Sequence, residues 1–224
     1  MKYLLLQTPA GTTEPLPDQA INILDLLVKG GPVMIPIAIL SIITVYLWIE
    51  RYITIRKASK MDNSFMDNIR DQVLNGNIKA AKALCEKTDT PIARMLSKGI
   101  HRIGKPLKTI EDSIENVGKL EIYKLEKNIN VLGIIAGIAP MFGFIGTIMG
   151  VIKIFYDVAQ VGEISIAVVA GGLYQKMITS AAGLMVGILA FVAYHWLNIM
   201  VDKVVQRMES NAIDFIDLLQ EPTK

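Results

Sequence analysis

Charged residues are almost absent from three stretches of this chain and crowd between them. Gly30 to Ile49 is a run of 20 uncharged, mostly apolar residues, and Asn128 to Ile152 is a run of 25. Ile164 to Val201 covers 38 residues with one formal charge, Lys176. A hydrocarbon core of ~30 Å takes ~20 helical residues, so each run predicts a membrane-spanning helix. Buried helices of a soluble protein need shorter runs. The third run is too long for one crossing and too short for two with a turn. It reads as one helix that projects well beyond the bilayer.

Between the runs, turn and cap residues punctuate the polar sequence. Asp62 is placed to cap a helix reaching about Leu74, and Asn75-Gly76-Asn77 is a turn. A second helix fits Ile78 to Glu86. Asp89-Thr90-Pro91 supplies an N-cap with proline at the first helical position, and the third helix ends by Gly104. Apart from Gly118, no glycine or proline follows Pro106 until Gly133. With Ile110, Ile114, Val117 and Leu120 at helical spacing, one continuous helix is expected from Pro106 through the second span. Near the start, Lys2 precedes only four apolar residues, too few for a signal-peptide core. Thr8 to Pro17 carries three prolines and reads as a loose segment. Gln19 to Val28 reads as a short amphipathic helix on the membrane surface.

Basic residues orient the chain. Residues 51–127 hold 16 of the 23 Lys and Arg residues, while Phe155–Glu163 holds none. Positive-inside logic places 51–127 and the C-terminus in the cytoplasm and the N-terminus outside. The expected organisation is an external segment 1–29, a first span 30–50 and a cytoplasmic helical domain 51–127. A second span 128–155, an external connection 156–163, a third span 164–201 and a cytoplasmic tail 202–224 follow. Trp48, Tyr52, Tyr156 and Trp196 fall near the expected interfaces. The fold class is an all-α integral membrane protein.

Composition sharpens this. The chain is 52% hydrophobic and 20% charged, against about 25% charged in ordinary soluble domains. Disorder and a disulfide framework are excluded, since Cys85 is the only cysteine. A net charge of +2 gives no case for nucleic acid. Cys85 reads as a small core residue, His101 as a surface residue and His195 as interfacial. The basic domain reads as solvated helices whose charges set topology; contact with anionic lipid or a docking surface is the other reading.

Small residues mark close helix contacts. Gly133/Gly137, Gly146/Gly150 and Gly183/Gly187 are GxxxG pairs, with Pro140 and Gly143 between the first two. On the third span Gly172, Lys176, Thr179, Ser180, Gly183 and Gly187 fall within about one third of the circumference. A lysine near mid-membrane costs at least ~2.5 kcal/mol, so Lys176 is expected on an inward seam, with outward snorkelling as the alternative. Thr147 is a candidate for the same interior; Thr147 and Ser180 equally fit hydroxyls bonded back to their own helices. No Asp or Glu lies within the three runs, and no Walker, metal-ligand or nucleophile motif occurs. No enzyme activity, metal or cofactor is expected, and a titrating carboxylate has to come from another chain.

Two segments resemble the MotA/TolQ/ExbB proton-channel family: Ala139-Pro140-Met141-Phe142-Gly143-Phe144-Ile145-Gly146-Thr147-Ile148-Met149-Gly150, and Gly172-Leu173-Tyr174-Gln175-Lys176-Met177-Ile178-Thr179-Ser180-Ala181-Ala182-Gly183-Leu184. The resemblance implies a homopentameric ring in the inner membrane of a Gram-negative cell. The ring would enclose an ExbD-like single-span partner that carries a membrane aspartate, and would use the proton-motive force to drive a TonB-like protein. It implies pore-facing hydroxyls at Thr147 and Ser180, and Gln175 where the family has a glutamate; Thr179 and Lys176 are expected to line the same proton pathway. Glutamine exchanges no proton. Lys176 is a further departure, expected to hold the partner's aspartate or to pair at a subunit interface. A TolQ-like or gliding-motor subunit and a non-conducting scaffold are the competing readings.

Overall fold

The computed structural model describes residues 30–60, 64–161 and 166–220. The amphipathic helix expected over 19–28 and the Asp62 cap lie outside the described residues. Seven helices are described, and no strand occurs among the described residues. They are α1 (Met34–Ser59), α2 (Ser64–Leu74), α3 (Ile78–Lys87), α4 (Pro91–Ile100), α5 (Leu107–Glu126), α6 (Ile129–Val161) and α7 (Ile166–Gln220). Three helical stretches are long and apolar enough to cross a membrane: one in α1, one in α6 and one in α7. The chain is thus an all-α, multi-pass membrane protein.

The short helices begin where their caps dictate. Asn77 accepts a hydrogen bond from the Ala80 amide through its side chain. Thr90 does the same for Ala93, with Pro91 in the first turn. Gly76 and Gly104 close the turns with positive φ, +72° and +91°, which glycine adopts without strain. Cys85 is buried as expected, and burial pushes its thiol up to about 12. His101 is exposed.

The helix expected to run unbroken from Pro106 through the second span is interrupted. α5 stops at Glu126, Lys127 is extended and Asn128 takes φ +65° before α6 begins. Asparagine is one of the few residues that enters this left-handed region readily. The break frees carbonyls at the end of α5, and Arg51 of α1 donates to that of Lys124 at 3.2 Å. Leu120, placed by its spacing on the apolar stripe, is 60% exposed, whereas Ile110 and Ile114 are buried. Helix also continues further than the charge pattern indicated. α6 runs to Val161, through most of the expected connection, and α7 runs on to Gln220.

α7 organises the rest. Its buried positions Val186, Ala190, Ala193, Leu197, Val201, Val204, Met208, Phe215 and Leu218 recur at steps of three and four, apart from one step of seven between Met208 and Phe215, a coiled-coil-like seam. The first half of the seam meets α1 and α6. The second half meets α2, α4 and α5, where Ile69, Ile92, Leu96 and Ile100 are fully or almost fully buried.

An ion-pair network ties this polar bundle to α1. Glu121, 4% exposed at its side chain, accepts from Arg94 at 2.7 Å and from Lys124 at 2.6 Å. Arg94 also pairs with Asp89 at 2.5 Å, and Lys57 at the end of α1 reaches Asp89 at 3.2 Å. Burial alone raises the Glu121 carboxyl, but the bonds from Arg94 and Lys124 outweigh it and hold it below the usual value. A carboxylate held low stabilises the fold above its unfolded pKa, and that stability is lost as pH falls through the lower folded value. The wild type should therefore lose thermal stability in detergent below about pH 4.3. Glu121→Gln should lower stability at pH 7 by about 1–2 kcal/mol and flatten that acid limb; the modest size follows from Arg94 being 41% exposed.

Candidate functional site: the face between α6 and α7

α6 and α7 run antiparallel and touch through their backbones. A Cβ on Gly183 would lie 2.7 Å from the Ala139 carbonyl and 3.0 Å from Gly143 Cα. One on Gly143 would meet the Ser180 backbone at 3.0 Å. Gly187 is covered by the Pro140 ring at 2.6 Å, Gly172 by Ile154 at 2.6 Å and Gly133 by the Tyr194 ring at 3.2 Å. Gly137 stands apart: it is exposed, and nothing in this chain lies within 4 Å of where its Cβ would be. The register follows from these contacts, with Gly143 opposite Ser180, Gly146 opposite Thr179 and Gly150 opposite Lys176.

α1 closes one flank of this pair. The Thr179 hydroxyl, fully buried, donates to the Gly30 carbonyl at 2.9 Å, and Val33 approaches Gly146. Gly31 beside it has φ +77°, a turn that lets the chain enter α1 against α7. At the other end of α1, Trp48 packs tilted and Tyr52 edge-on against Trp196, with centroids 6.2 and 6.4 Å away. Tyr156, the fourth expected interfacial aromatic, is exposed on α6. His195 is exposed and lies edge-on to Phe191 at 4.3 Å.

Helical geometry then places the polar side chains. Gly146 and Thr179 touch α1, and each next residue turns ~100° further round its helix. Because α6 and α7 are antiparallel, that rotation carries Thr147 and Ser180 to the same flank, away from α1. Both are half-buried. The Thr147 hydroxyl donates back to its own helix, to Phe144 O at 2.6 Å, with Gly143 O at 3.3 Å. Thr179 is not on that flank, since it is spent on α1. Gln175 lies one turn before Thr179 on the α1 side, half-buried, with its carbonyl 3.4 Å from the Thr179 hydroxyl.

Lys176 faces α6. Its stem lies over Gly150, and its ammonium is 3.8 Å from where a Cβ on Gly31 would sit. The glycine at 150 makes room for the lysine stem, a reason for the small residue that spacing alone did not give. No cluster of three or more metal-ligating side chains occurs among the described residues.

Three apolar helices, two of them in backbone contact and flanked by the hydroxyls of Thr147 and Ser180, define an integral membrane protein built around a tightly packed helix pair. The chain belongs to the MotA/TolQ/ExbB proton channel family, which it matches over residues 87–210. It is 25% identical over 205 residues to the biopolymer transport protein ExbB of Neisseria meningitidis serogroup A, covering 83% of this chain and 91% of that protein. It is 27% identical over 195 residues to the biopolymer transport protein exbB1 of Vibrio cholerae, covering 83% of each. A shorter match, 28% over 99 residues, covers 44% of this chain and 43% of the Tol-Pal system protein TolQ of Haemophilus influenzae.

The contacts rank the glycines. Gly183→Ala presses a methyl onto backbone that has no room to move, a loss of about 1–3 kcal/mol. Gly150→Ala presses on the flexible Lys176 stem, which can swing aside. Thermal unfolding in detergent should drop clearly for the first and by less than half as much for the second.

Proposed function

We propose that this chain is the membrane-embedded housing subunit of a proton-driven motor. Five copies form a ring around an ExbD-like single-span partner, and the partner's movement transmits proton-motive force to a TonB-like protein. In this reading residues 51–127 and the far end of α7 are cytoplasmic, residues 1–29 are external, and the ring sits in the inner membrane of a Gram-negative cell. The observation that carries it is the placement of Thr147 and Ser180 on one flank of the α6–α7 pair, within spans that hold no carboxylate of their own. Gln175 stands on the α1 side and the Lys176 stem faces α6 with its nitrogen toward Gly31, so neither shares the flank of the two hydroxyls and both act on the partner less directly.

The chemistry follows from the hydrogen bonds. The Thr147 proton is engaged by Phe144 O, so its oxygen is left chiefly as an acceptor. An acceptor welcomes a protonated carboxylic acid and offers nothing to a carboxylate. The partner's aspartate therefore docks when neutral and leaves this contact when it ionises, and the gradient across the membrane sets which event occurs on which side. An ExbB-like role is favoured over a TolQ-like one because the ExbB matches span most of the chain and the TolQ match less than half.

Thr147→Val keeps the shape and removes the acceptor. Proton-dependent transport with the partner present should fall about tenfold or more, the scale of one hydrogen bond made to a charged or acidic group. The native mass of the ring should be unchanged. Full transport in that variant refutes the pore role. Proton flux at wild-type speed through this chain reconstituted without its partner refutes the division of labour.

A further inference from the structure

A groove of about 540 Å³ runs between α5 and the far end of α7. Its floor is Met95 of α4, and its walls include Ile114, Ile122, Met208, Ile213 and Ile216. Ile213 is 60% exposed, an apolar side chain left open to water on the polar bundle. The rim is acidic: Glu111 and Glu115 line one side, Glu209 and Asp217 the other, against a single ammonium, Lys119. Lys119 is committed to Glu115 at 2.6 Å, and Lys108 sits 3.5 Å from Glu111. A neighbouring cavity of about 410 Å³ shares Asp217 and adds Asp67 and Asp214 against Arg70. The groove thus offers an apolar floor under a negative field.

The groove opens on the flank that carries Thr147 and Ser180. Glu111, Glu115 and Ile122 directly follow the buried residues Ile110, Ile114 and Glu121 on α5. Glu209 and Ile216 directly follow the buried Met208 and Phe215 on α7. Thr147 and Ser180 stand in the same relation to the buried Gly146 and Thr179. Along the continuous α7, Glu209 and Ile216 come within about 20° of Ser180 at ~100° per residue, so they share its side of the helix. Whatever occupies the membrane part of that flank continues onto the groove.

Resting on the ring reading above, we infer that the groove seats the cytoplasmic segment of the single-span partner, a short amphipathic stretch with Lys or Arg on its polar side. A single-span protein whose helix passes through the ring must emerge into the space these grooves face. The positive-inside rule gives its cytoplasmic end the basic residues that the rim calls for. The apolar floor takes the alternate, uncharged side chains, as in helix-in-groove recognition. Seating the tail on the ring tethers the partner at its base, so that motion in the membrane turns against a fixed point.

The test uses the full chain co-expressed with its single-span partner in membranes, with the photo-crosslinker p-benzoylphenylalanine replacing Ile213. Cross-links read by mass spectrometry should fall on the partner's basic segment next to its span. Cross-links to a second copy of this chain, to lipid alone, or none at all, in rings of wild-type mass that retain the partner, overturn the proposal. A wild-type preparation with no ring or no bound partner overturns the ring reading and this proposal with it, so the two failures are distinguishable. As a second arm, Glu209→Lys with Asp217→Lys should reduce partner retained on the purified ring about fivefold at low salt, and Glu209→Gln with Asp217→Asn should reduce it less. Unchanged retention in the charge-reversed ring also overturns it.

Discussion

Backbone contact between α6 and α7 is the constraint on which the molecule depends. Lipid supplies no hydrophobic drive for helices to meet, so association rests on van der Waals approach at small residues. Gly143 and Gly183 bring the two backbones to a separation that no side chain permits. Once they meet, the register is fixed over the whole pair, and with it which residues share a level and which share a flank. Thr179 then has no freedom: it is turned to α1, and its hydroxyl closes on the Gly30 carbonyl. Thr147 and Ser180 are left on the opposite flank as a consequence of the same contact.

At the other end of the molecule, charge does the work that small residues do in the apolar part. Glu121 is buried because Arg94 and Lys124 both satisfy it, and Asp89 links Arg94 to Lys57 at the end of α1. Arg51 joins the two regions. Almost wholly buried, it pairs with the neighbouring Glu50 and reaches the carbonyl of Lys124 next to the α5–α6 break. An arginine suits this position, since a planar fork bonds a carboxylate and a carbonyl together where a lysine presents one point charge. The break at Lys127–Asn128 is therefore braced from α1.

Much of this was legible in the residues, because the signals involved are local or compositional. Charge gaps marked the three apolar helices, and Thr90-Pro91 and Asn77 marked helix starts that the structure places within a residue. The glycine pairs pointed to close packing, and all but Gly137 find a partner side chain or backbone within the chain. The Asn128 break was hidden because asparagine is tolerated inside helices, and only its positive φ reveals the stop. Leu120 was misplaced for a related reason: spacing gives a phase along one helix but not which neighbour covers it. Thr179 was grouped with Ser180 by spacing, and the contact with Gly30, 149 residues away, separates them. Long-range partners leave no trace in periodicity.

The polar residues of the α6–α7 pair divide by what their hydrogen atoms are doing. Thr179 donates across to the turn that leads into α1, so its bond holds structure, and removing it loosens the entry of α1. Thr147 donates within its own helix, so its bond holds nothing else in place, and its oxygen remains open to a visitor. Lys176 lays its stem across Gly150 with its nitrogen toward Gly31 at the entry of α1, so it fills the seam on the side away from the two hydroxyls. In the proposed reading the hydroxyl flank treats the two states of a visiting carboxyl unequally: the neutral acid bonds to the Thr147 oxygen, and the anion finds no donor there and moves on. Two states of one group preferring two positions is the physical requirement for turning protonation into displacement.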